Sequence, residues 1–333
     1  MKRFLTIPLS WLYAAGVSIR HAMYDHHMLP SVAAQVPTIC VGNLAAGGTG
    51  KTPHVEYIVR LLLSHGYRVA VLSRGYKRKT HGFILADDKA TARTIGDEAM
   101  QLHEKFPSLM VAVCENRVYG IRRLLKTTRP PEVVVLDDAM QHRALRSGLK
   151  ILLTAYDHLY IDDHMLPWGT LRDLPSRALK ADMIVVTKCP NTMQPIDMRV
   201  VDNRLHLPTY QHLYFSGLRY EPLTEQGTPL IVCGIAQPAY LIDHVRSLYP
   251  QAEALTYADH HAYTEKDIQT VLQRAQNYDF VLTTEKDAER LKLTSLEAQL
   301  TAQGKRLVVL PVYTRLLHDA EGFDKQILMY VKR

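Results

Sequence analysis

The sequence predicts an α/β protein: a mostly parallel, helix-covered sheet that carries a phosphate-binding loop, joined by a short β linker to a second, smaller α/β domain. Three observations predict this. The run Ala45-Ala46-Gly47-Gly48-Thr49-Gly50-Lys51-Thr52 lies between an apolar strand-like stretch, 38–42, and an apolar-periodic helical stretch, 55–63. Short apolar runs then alternate with helix-period segments, which implies parallel strands with helices on both faces. Around 205–228 the alternation weakens and breakers (Pro222, Gly227, Pro229) appear, after which a second alternating set begins. The length of 333 residues suits two domains. The expected organisation is an N-terminal helix over 1–30, a phosphate-loop domain over 31–208, a linker over 209–228 and a smaller α/β domain over 229–333.

The bulk composition sets outer limits. Hydrophobic residues make up 47% and charged residues 22%, as in folded globular proteins. There is no internal repeat or low-complexity segment. Cys40, Cys114, Cys189 and Cys233 are widely spaced, which fits reduced core thiols in the cytosol and not a disulfide framework or a C-x-x-C metal site. The net charge of +7 favours an anionic partner. That charge is spread without a run of five or six, and no RNA- or DNA-binding motif accompanies it, so no nucleic-acid partner is expected.

Taken in order, the chain begins with basic ends around an apolar middle, Lys2-Arg3 and Arg20 around Phe4 to Ile19. This is too short and too interrupted for a membrane span, which needs about 20 apolar residues. A secretory signal is disfavoured because no A-x-A site follows and a phosphate loop expects cytosolic ATP. Pro8 suits a helix start, and Leu9, Leu12, Ala15 and Ile19 then share a face. The stretch reads as an interfacial helix with Trp11 and Tyr13 at headgroup level and Lys2, Arg3 and Arg20 on anionic lipid. A helix packed on the protein's own core is the alternative.

The next elements are the phosphate-loop helix to His65-Gly66, a strand over 68–73, a possible hairpin at 83–85, a helix opened by Gly96-Asp97-Glu98, and a strand over 109–114. A helix from 115 to 126 and strands over 132–138, 150–155 and 183–187 follow. Beyond the linker come strands over 230–233, 254–257, 280–283 and 307–312, with helices over 240–248, 265–276 and 325–331.

The loop carries the most specific chemistry. In a strand–loop–helix context its backbone N–H groups, from Gly47, Gly48, Thr49 and Gly50 into the helix, cradle nucleotide phosphates. Lys51 reaches the β/γ-phosphates, and the Thr52 hydroxyl serves Mg²⁺. The first glycine of the G-x-x-x-x-G-K-[ST] pattern is Ala45 here. The reading is thus a P-loop NTPase-like domain. Asp137 and Asp138 end an apolar strand downstream, where a carboxylate completes a Mg²⁺ site. Adjacent strand residues point to opposite faces, so the two should differ in role.

Asp97 is a candidate acceptor of a hydroxyl proton, and a helix-capping residue equally well. Asp259-His260-His261 offers an Asp-His unit from the second domain. Arg74, Arg117, Arg143 and Arg172 match phosphate oxygens, or else form surface salt bridges.

These segments together resemble the tetraacyldisaccharide 4′-kinase family of lipid A synthesis. The resemblance rests on Val41 through Pro53, Ser73-Arg-Gly-Tyr76, Gly96-Asp-Glu98, Asp137-Asp-Ala-Met-Gln-His-Arg143, Leu166-Pro167 with Gly169 and Leu171-Arg172, Asp259-His260, and Thr284-Glu-Lys-Asp-Ala-Glu-Arg290. It implies transfer of the ATP γ-phosphoryl to the 4′-hydroxyl of an acylated glucosamine disaccharide 1-phosphate, with Mg²⁺, at the cytoplasmic face of the inner membrane. It implies Asp97 as catalytic base and His260 as its dyad partner from the other domain. Lys51 and Thr52 would serve phosphate and metal, and Asp138 with Asp137 would hold the metal. Gln141 and His142 would lie near the active centre, and Arg117 and Arg172 against phosphates or substrate.

Two departures stand out. This chain has Asp-Asp-Ala-Met-Gln-His where the family usually has Asp-Asp-Gly-Phe-Gln-His. It has Leu-Pro-Trp-Gly-Thr-Leu-Arg-Asp in place of Leu-Pro-x-Gly-Pro-Leu-Arg-Glu. The alternative reading is a membrane-surface partitioning or targeting ATPase, which would carry a second lysine where this chain has Ala46.

Overall fold

The structure is a computed structural model and describes residues 2–332. The side chains of residues 2–5, among them Lys2 and Arg3 that were expected on anionic lipid, lie outside the described residues.

Nine strands form the main sheet, in the order Val312–Leu316, His212–Tyr220, Met183–Thr187, Leu149–Ala155, Thr38–Asn43, Val133–Asp137, Val69–Ser73, Met110–Val113, Ile84–Leu85. All neighbours are parallel except the two edge pairs. The strand that feeds the phosphate loop therefore sits at the centre, next to the strand that ends in Asp137. Parallel strands covered on both faces read as continuous apolar runs, and these do. Ile39, Val41, Val71 and Val135 face one layer, where Ile58, Leu62 and Leu102 of two helices close the core. Cys40, Ala70, Leu72 and Leu136 face the other, against Ile121 and Leu124. All four cysteines are buried free thiols.

A second, four-stranded parallel sheet follows the order Glu253–Thr256, Pro229–Cys233, Phe280–Thr284, Leu307–Leu310, with its own two-sided core. The route between the sheets differs from the sequence expectation. The segment taken as a linker, 209–228, contains the strand His212–Tyr220, which pairs with Met183–Thr187 in the main sheet. The run 307–312, expected as one strand, is split at Pro311. Leu307–Leu310 ends the small sheet, and Val312–Leu316 returns antiparallel to His212–Tyr220 in the large one. Proline has no N–H to give a ladder, which suits a crossing point. The last helix, Ala320–Val331, packs Phe323, Ile327 and Val331 into the core of the main sheet. The two crossings run side by side, with Glu221 N–H bonded to the Pro311 carbonyl at 3.1 Å.

Two local expectations are also corrected. Ile84–Leu85 is an edge strand on Met110–Val113 and not half of a local hairpin. Pro8 lies inside the helix Lys2–Asp25 and does not start it. Pro8 is the seventh helical residue, past the four N–H groups that lack a partner at a helix start, so the helix carries the loss of one i→i−4 bond there.

Candidate active site

One cleft of about 860 Å³ lies between the sheets, lined by the phosphate loop, both strand-end aspartates, Asp97 and His260. The loop leaves Asn43 at the C-terminal end of the central strand and re-enters a helix at Lys51, the edge where parallel α/β sheets bind ligands. Gly50 caps that helix with φ +78°, a left-handed conformation open to glycine at no steric cost. A Cβ on Gly48 would stand 3.0 Å from the Ala236 side chain, so the loop and the small sheet's first loop approach closely. Ala45, at the missing first glycine, makes a β-bridge with Leu171, and Ala46 N–H bonds the Thr170 carbonyl at 2.7 Å. Segment 163–172 thus holds the loop from outside. Thr52 is half-buried on the helix's first turn. Lys51 Nζ lies 3.4 Å from Asn43 Oδ1 and 4.0 Å from Asp138.

The two aspartates do differ. Asp137 is buried, and its Oδ1 has no hydrogen-bond partner. Burial, then the nearby Glu98 and Asp138 charges, push its carboxyl up to about 7. Asp138, at φ +52°, has both oxygens engaged by the Arg172 guanidinium, Nη1 donating to Oδ2 at 2.9 Å. Burial alone would raise its pKa, but Lys51 and Arg172 outweigh that and hold it low. Arg172 also donates to Asn43 Oδ1 at 2.6 Å, and Gln141 Nε2 donates to the Asn43 carbonyl at 3.0 Å. Arg117 is buried and donates to the carbonyls of Cys114 (3.1 Å) and Asp137 (3.4 Å). Arg74 is exposed in the cleft. His142 lines the same wall with a buried Nε2 that lacks a partner. Burial, then the charges of Arg117, Arg20 and Arg74, lower its pKa to about 4, so it is neutral.

Across the cleft, Gly96 is the N-cap of the helix Asp97–Lys105, and Asp97, its first residue, accepts the N–H of its neighbour Glu98 at 3.0 Å without being the cap. Its other oxygen lies 2.9 Å from His260 Nδ1, which comes from the loop after Glu253–Thr256. Burial opposes the charge on Asp97, but His260, Lys286 and Arg290 prevail and hold the carboxyl below its usual range. His261 points elsewhere, to Asp267 at 2.9 Å between two tyrosine rings. Arg143 is not a cleft residue: it fastens the N-terminal helix through Asp25 at 2.5 Å and the His21 carbonyl at 2.8 Å.

Sequence reasoning missed two lysines. Lys188, just after Met183–Thr187, directs Nζ at the Gly48 carbonyl and at Gln237 of the small sheet. Burial lowers its pKa to about 8. Its place at the C-terminal end of a parallel strand was the available signal. Lys286 bonds His260 Nε2 at 2.9 Å, and it stood in a quoted segment without a role. The two sequence departures fall on supporting contacts. Ala139 is buried, and Met140 packs on Gly42, where a Cβ would meet its Cγ at 2.6 Å. Thr170 donates its hydroxyl to Asp163 at 2.5 Å.

A cleft with a polyphosphate cradle on one wall and a carboxylate–imidazole pair on the other, fed by a parallel sheet, defines a phosphotransferase of the phosphate-loop class. The particular family follows from its relatives. Residues 2–332 match the family described as tetraacyldisaccharide-1-P 4′-kinase, LpxK, and the chain belongs to that family. A tetraacyldisaccharide 4′-kinase of Parabacteroides distasonis is 44% identical over 348 residues, covering 98% of this chain and 93% of its own. One from Bacteroides thetaiotaomicron is 42% identical over 354 residues, with 98% and 92% covered. A crystal structure of LpxK from Aquifex aeolicus in complex with ATP superposes with a TM-score of 0.76 at 26% identity, covering 99% of this chain and all of that one. The partitioning-ATPase alternative is not favoured: these relatives are kinases, and no lysine stands at Ala46.

Proposed function

We propose that the chain transfers the γ-phosphoryl group of ATP to the 4′-hydroxyl of a tetraacylated glucosamine disaccharide 1-phosphate, docked on the cytoplasmic face of the inner membrane. The observation that carries the site assignment is the Asp97–His260 contact, made across the cleft that also holds the phosphate loop. The backbone amides from Gly47 to Gly50, with Lys51 and Thr52, bind the triphosphate, helped by the helix dipole. Asp97 orients the sugar hydroxyl and takes its proton, and His260 holds Asp97 in place. Arg74, Arg117 and Arg172 supply positive charge to the phosphates, with Gln141 and His142 beside them.

The residues present fit Mg²⁺. Asp137 offers a buried oxygen without a partner; burial first, then the Glu98 and Asp138 charges, raise its pKa, and a cation would relieve both. Thr52 and Asp137 would hold the ion directly. Asp138, engaged by Arg172, would act in the shell behind. When bound, the ion neutralises charge on the β- and γ-phosphates. Closing the two sheets around both substrates excludes water, which favours transfer over hydrolysis.

The N-terminal helix supports membrane docking. No helix among the described residues is long and apolar enough to cross a membrane. Yet Leu9 (54%), Trp11 (70%), Leu12 (71%) and Ile19 (63%) are exposed. The buried side of the helix is polar: Ser10 donates to the Met165 carbonyl at 2.9 Å, and His21 meets Asp173 at 2.5 Å.

The test is phosphate transfer from Mg-ATP to the acylated disaccharide 1-phosphate in detergent. Asp97→Asn should bind ATP normally and lose about 10²–10⁴-fold in turnover. Near-normal turnover in that variant would remove Asp97 from the base role, and transfer no greater than that of Lys51→Ala would end the kinase reading.

A further inference from the structure

Lys286 lies in the helix Glu285–Leu291 of the small sheet and reaches across the cleft. Its Nζ stands 2.9 Å from His260 Nε2, 3.3 Å from Glu98 Oε1 and 3.4 Å from Asp259 Oδ1. An ammonium has three donors and no acceptor. Here it meets three acceptors, so Nε2 must offer its lone pair. A neutral imidazole carries one proton, and that proton is then on Nδ1, 2.9 Å from Asp97 Oδ2. Asp97 accepts it and is therefore the carboxylate. An imidazolium would set an N–H against the ammonium and is ruled out by the same contact.

We propose that Lys286 is a positioning residue for this pair: it occupies His260 Nε2, fixes the Nδ1–H tautomer, and so reserves Asp97 for the proton of the acceptor hydroxyl. The inference rests on the reading of Asp97 and His260 as the catalytic pair. Other contacts hold the ring in place for the lysine. The Tyr76 ring meets the imidazole edge-on at 5.0 Å, the Lys77 ammonium donates to the His260 carbonyl at 3.3 Å, and the His260 N–H bonds the Gly234 carbonyl at 3.2 Å.

The charged groups facing Lys286 are Glu98, Asp97, Asp259 and Arg290. Burial opposes its charge, but the three carboxylates outweigh burial and Arg290 and raise its pKa, so the lysine stays an ammonium at neutral pH. Arg290 Nε faces Asp97 Oδ2 at 3.6 Å and adds a second cation to the carboxylate.

The transfer step balances with this assignment. The sugar O–H bond breaks as the oxygen bonds the γ-phosphorus, and the bond to the β,γ-bridging oxygen breaks to leave ADP. The proton passes to Asp97, and His260 keeps its own proton throughout. Asp97 returns its proton to water before the next turnover. Without the lysine, His260 would face two carboxylates, Asp97 at 2.9 Å from Nδ1 and Asp259 at 3.7 Å from a free Nε2. The imidazole would then charge, pair with Asp97 and weaken it as a base.

The experiment is ¹⁵N NMR of the full chain labelled at histidine, with His260 assigned by its loss in His260→Gln, together with kcat and KM over pH 6–9. The expected wild-type spectrum at pH 7.5 shows His260 with an unprotonated Nε2 and a protonated Nδ1. Lys286→Met should protonate both nitrogens at neutral pH and lower kcat about 10–100-fold, as removal of an orienting partner does. It should leave KM for ATP nearly unchanged and give kcat a new fall toward acid pH. Lys286→Arg should restore the wild-type shifts. An Nε2–H tautomer or an imidazolium in the wild type overturns the proposal, and so do unaltered shifts in Lys286→Met. The wild-type spectrum decides even where that variant fails to fold. The spectrum does not depend on turnover, so normal activity in Asp97→Asn would refute the catalytic reading separately.

Discussion

Asp137 and Asp138 are adjacent and chemically opposite. One is buried with a free oxygen, the other clasped by Arg172. The difference has a sign that can be measured. Asp137 has its folded pKa raised from 3.8 to about 7. The folded state therefore holds a proton that the unfolded state releases, so the stabilisation is complete below pH 3.8 and is lost as pH rises to about 7. Asp137→Asn should then raise the melting temperature of nucleotide-free protein at pH 8, by about 5 °C. The same variant should lose the added stability that Mg-ATP gives the wild type. A melting temperature that does not rise at pH 8 would mean the carboxylate is not a source of strain. That the two face different surroundings was legible from alternation along a strand. Which aspartate keeps the open oxygen was not, because that depends on Arg172, 34 positions away. Lys188 and Lys286 were hidden for a related reason. A lysine at a strand end or on a helix looks like solvated surface until the fold supplies its acceptors.

At the scale of elements, three helices meet at one half-buried ammonium, with the buried Glu56 among its partners. Lys105 Nζ lies 2.7 Å from Glu56 on the phosphate-loop helix and 2.7 Å from Glu285 on the small-sheet side. The two carboxylates outweigh burial and hold the lysine protonated. Removing the partner of buried charges costs more than the pair contributes, about 3–5 kcal/mol. Lys105→Met should therefore lower denaturant stability by that order, and adding Glu56→Gln should recover part of it. Additive losses in the double variant would show that the two side chains are not coupled. The helices themselves were readable from apolar periodicity, as were the strands of the main sheet from their continuous apolar runs. Sheet membership after residue 209 was not. Pro311 splits an unbroken apolar run between two sheets, and 212–220 alternates only weakly because its centre, 214–217, is buried on both faces, while its neighbour Val312–Leu316 arrives about a hundred residues later. Such pairing leaves no local mark.

At the scale of the whole molecule, one helix joins an exposed apolar surface to the cleft. The helix Lys2–Asp25 also reaches the site: Tyr13 and Arg20, both solvent-exposed, line the cleft, Tyr13 donating to the Arg172 carbonyl at 3.1 Å and Arg20 to the Gln141 carbonyl at 3.0 Å. The same helix exposes Leu9, Leu12 and Ile19. That pattern inverts a core-packed helix, and it favours a lipid surface over the alternative of a helix buried on its own protein. Each apolar side chain contributes about 1.5–3 kcal/mol on full burial, and partial insertion of three still amounts to several kcal/mol. Replacing Leu9, Leu12 and Ile19 with serine should therefore weaken binding to phosphatidylglycerol vesicles more than tenfold. KM for vesicle-embedded substrate should rise, while kcat with detergent-dispersed substrate and the affinity for ATP should stay as they are. The net charge of +7 adds a component that high salt screens, so the residual binding of the variant should vanish as ionic strength rises. Vesicle binding equal to that of the wild type would exclude this face of the helix as the docking surface. A fall in detergent kcat would instead show that the helix shapes the cleft from within.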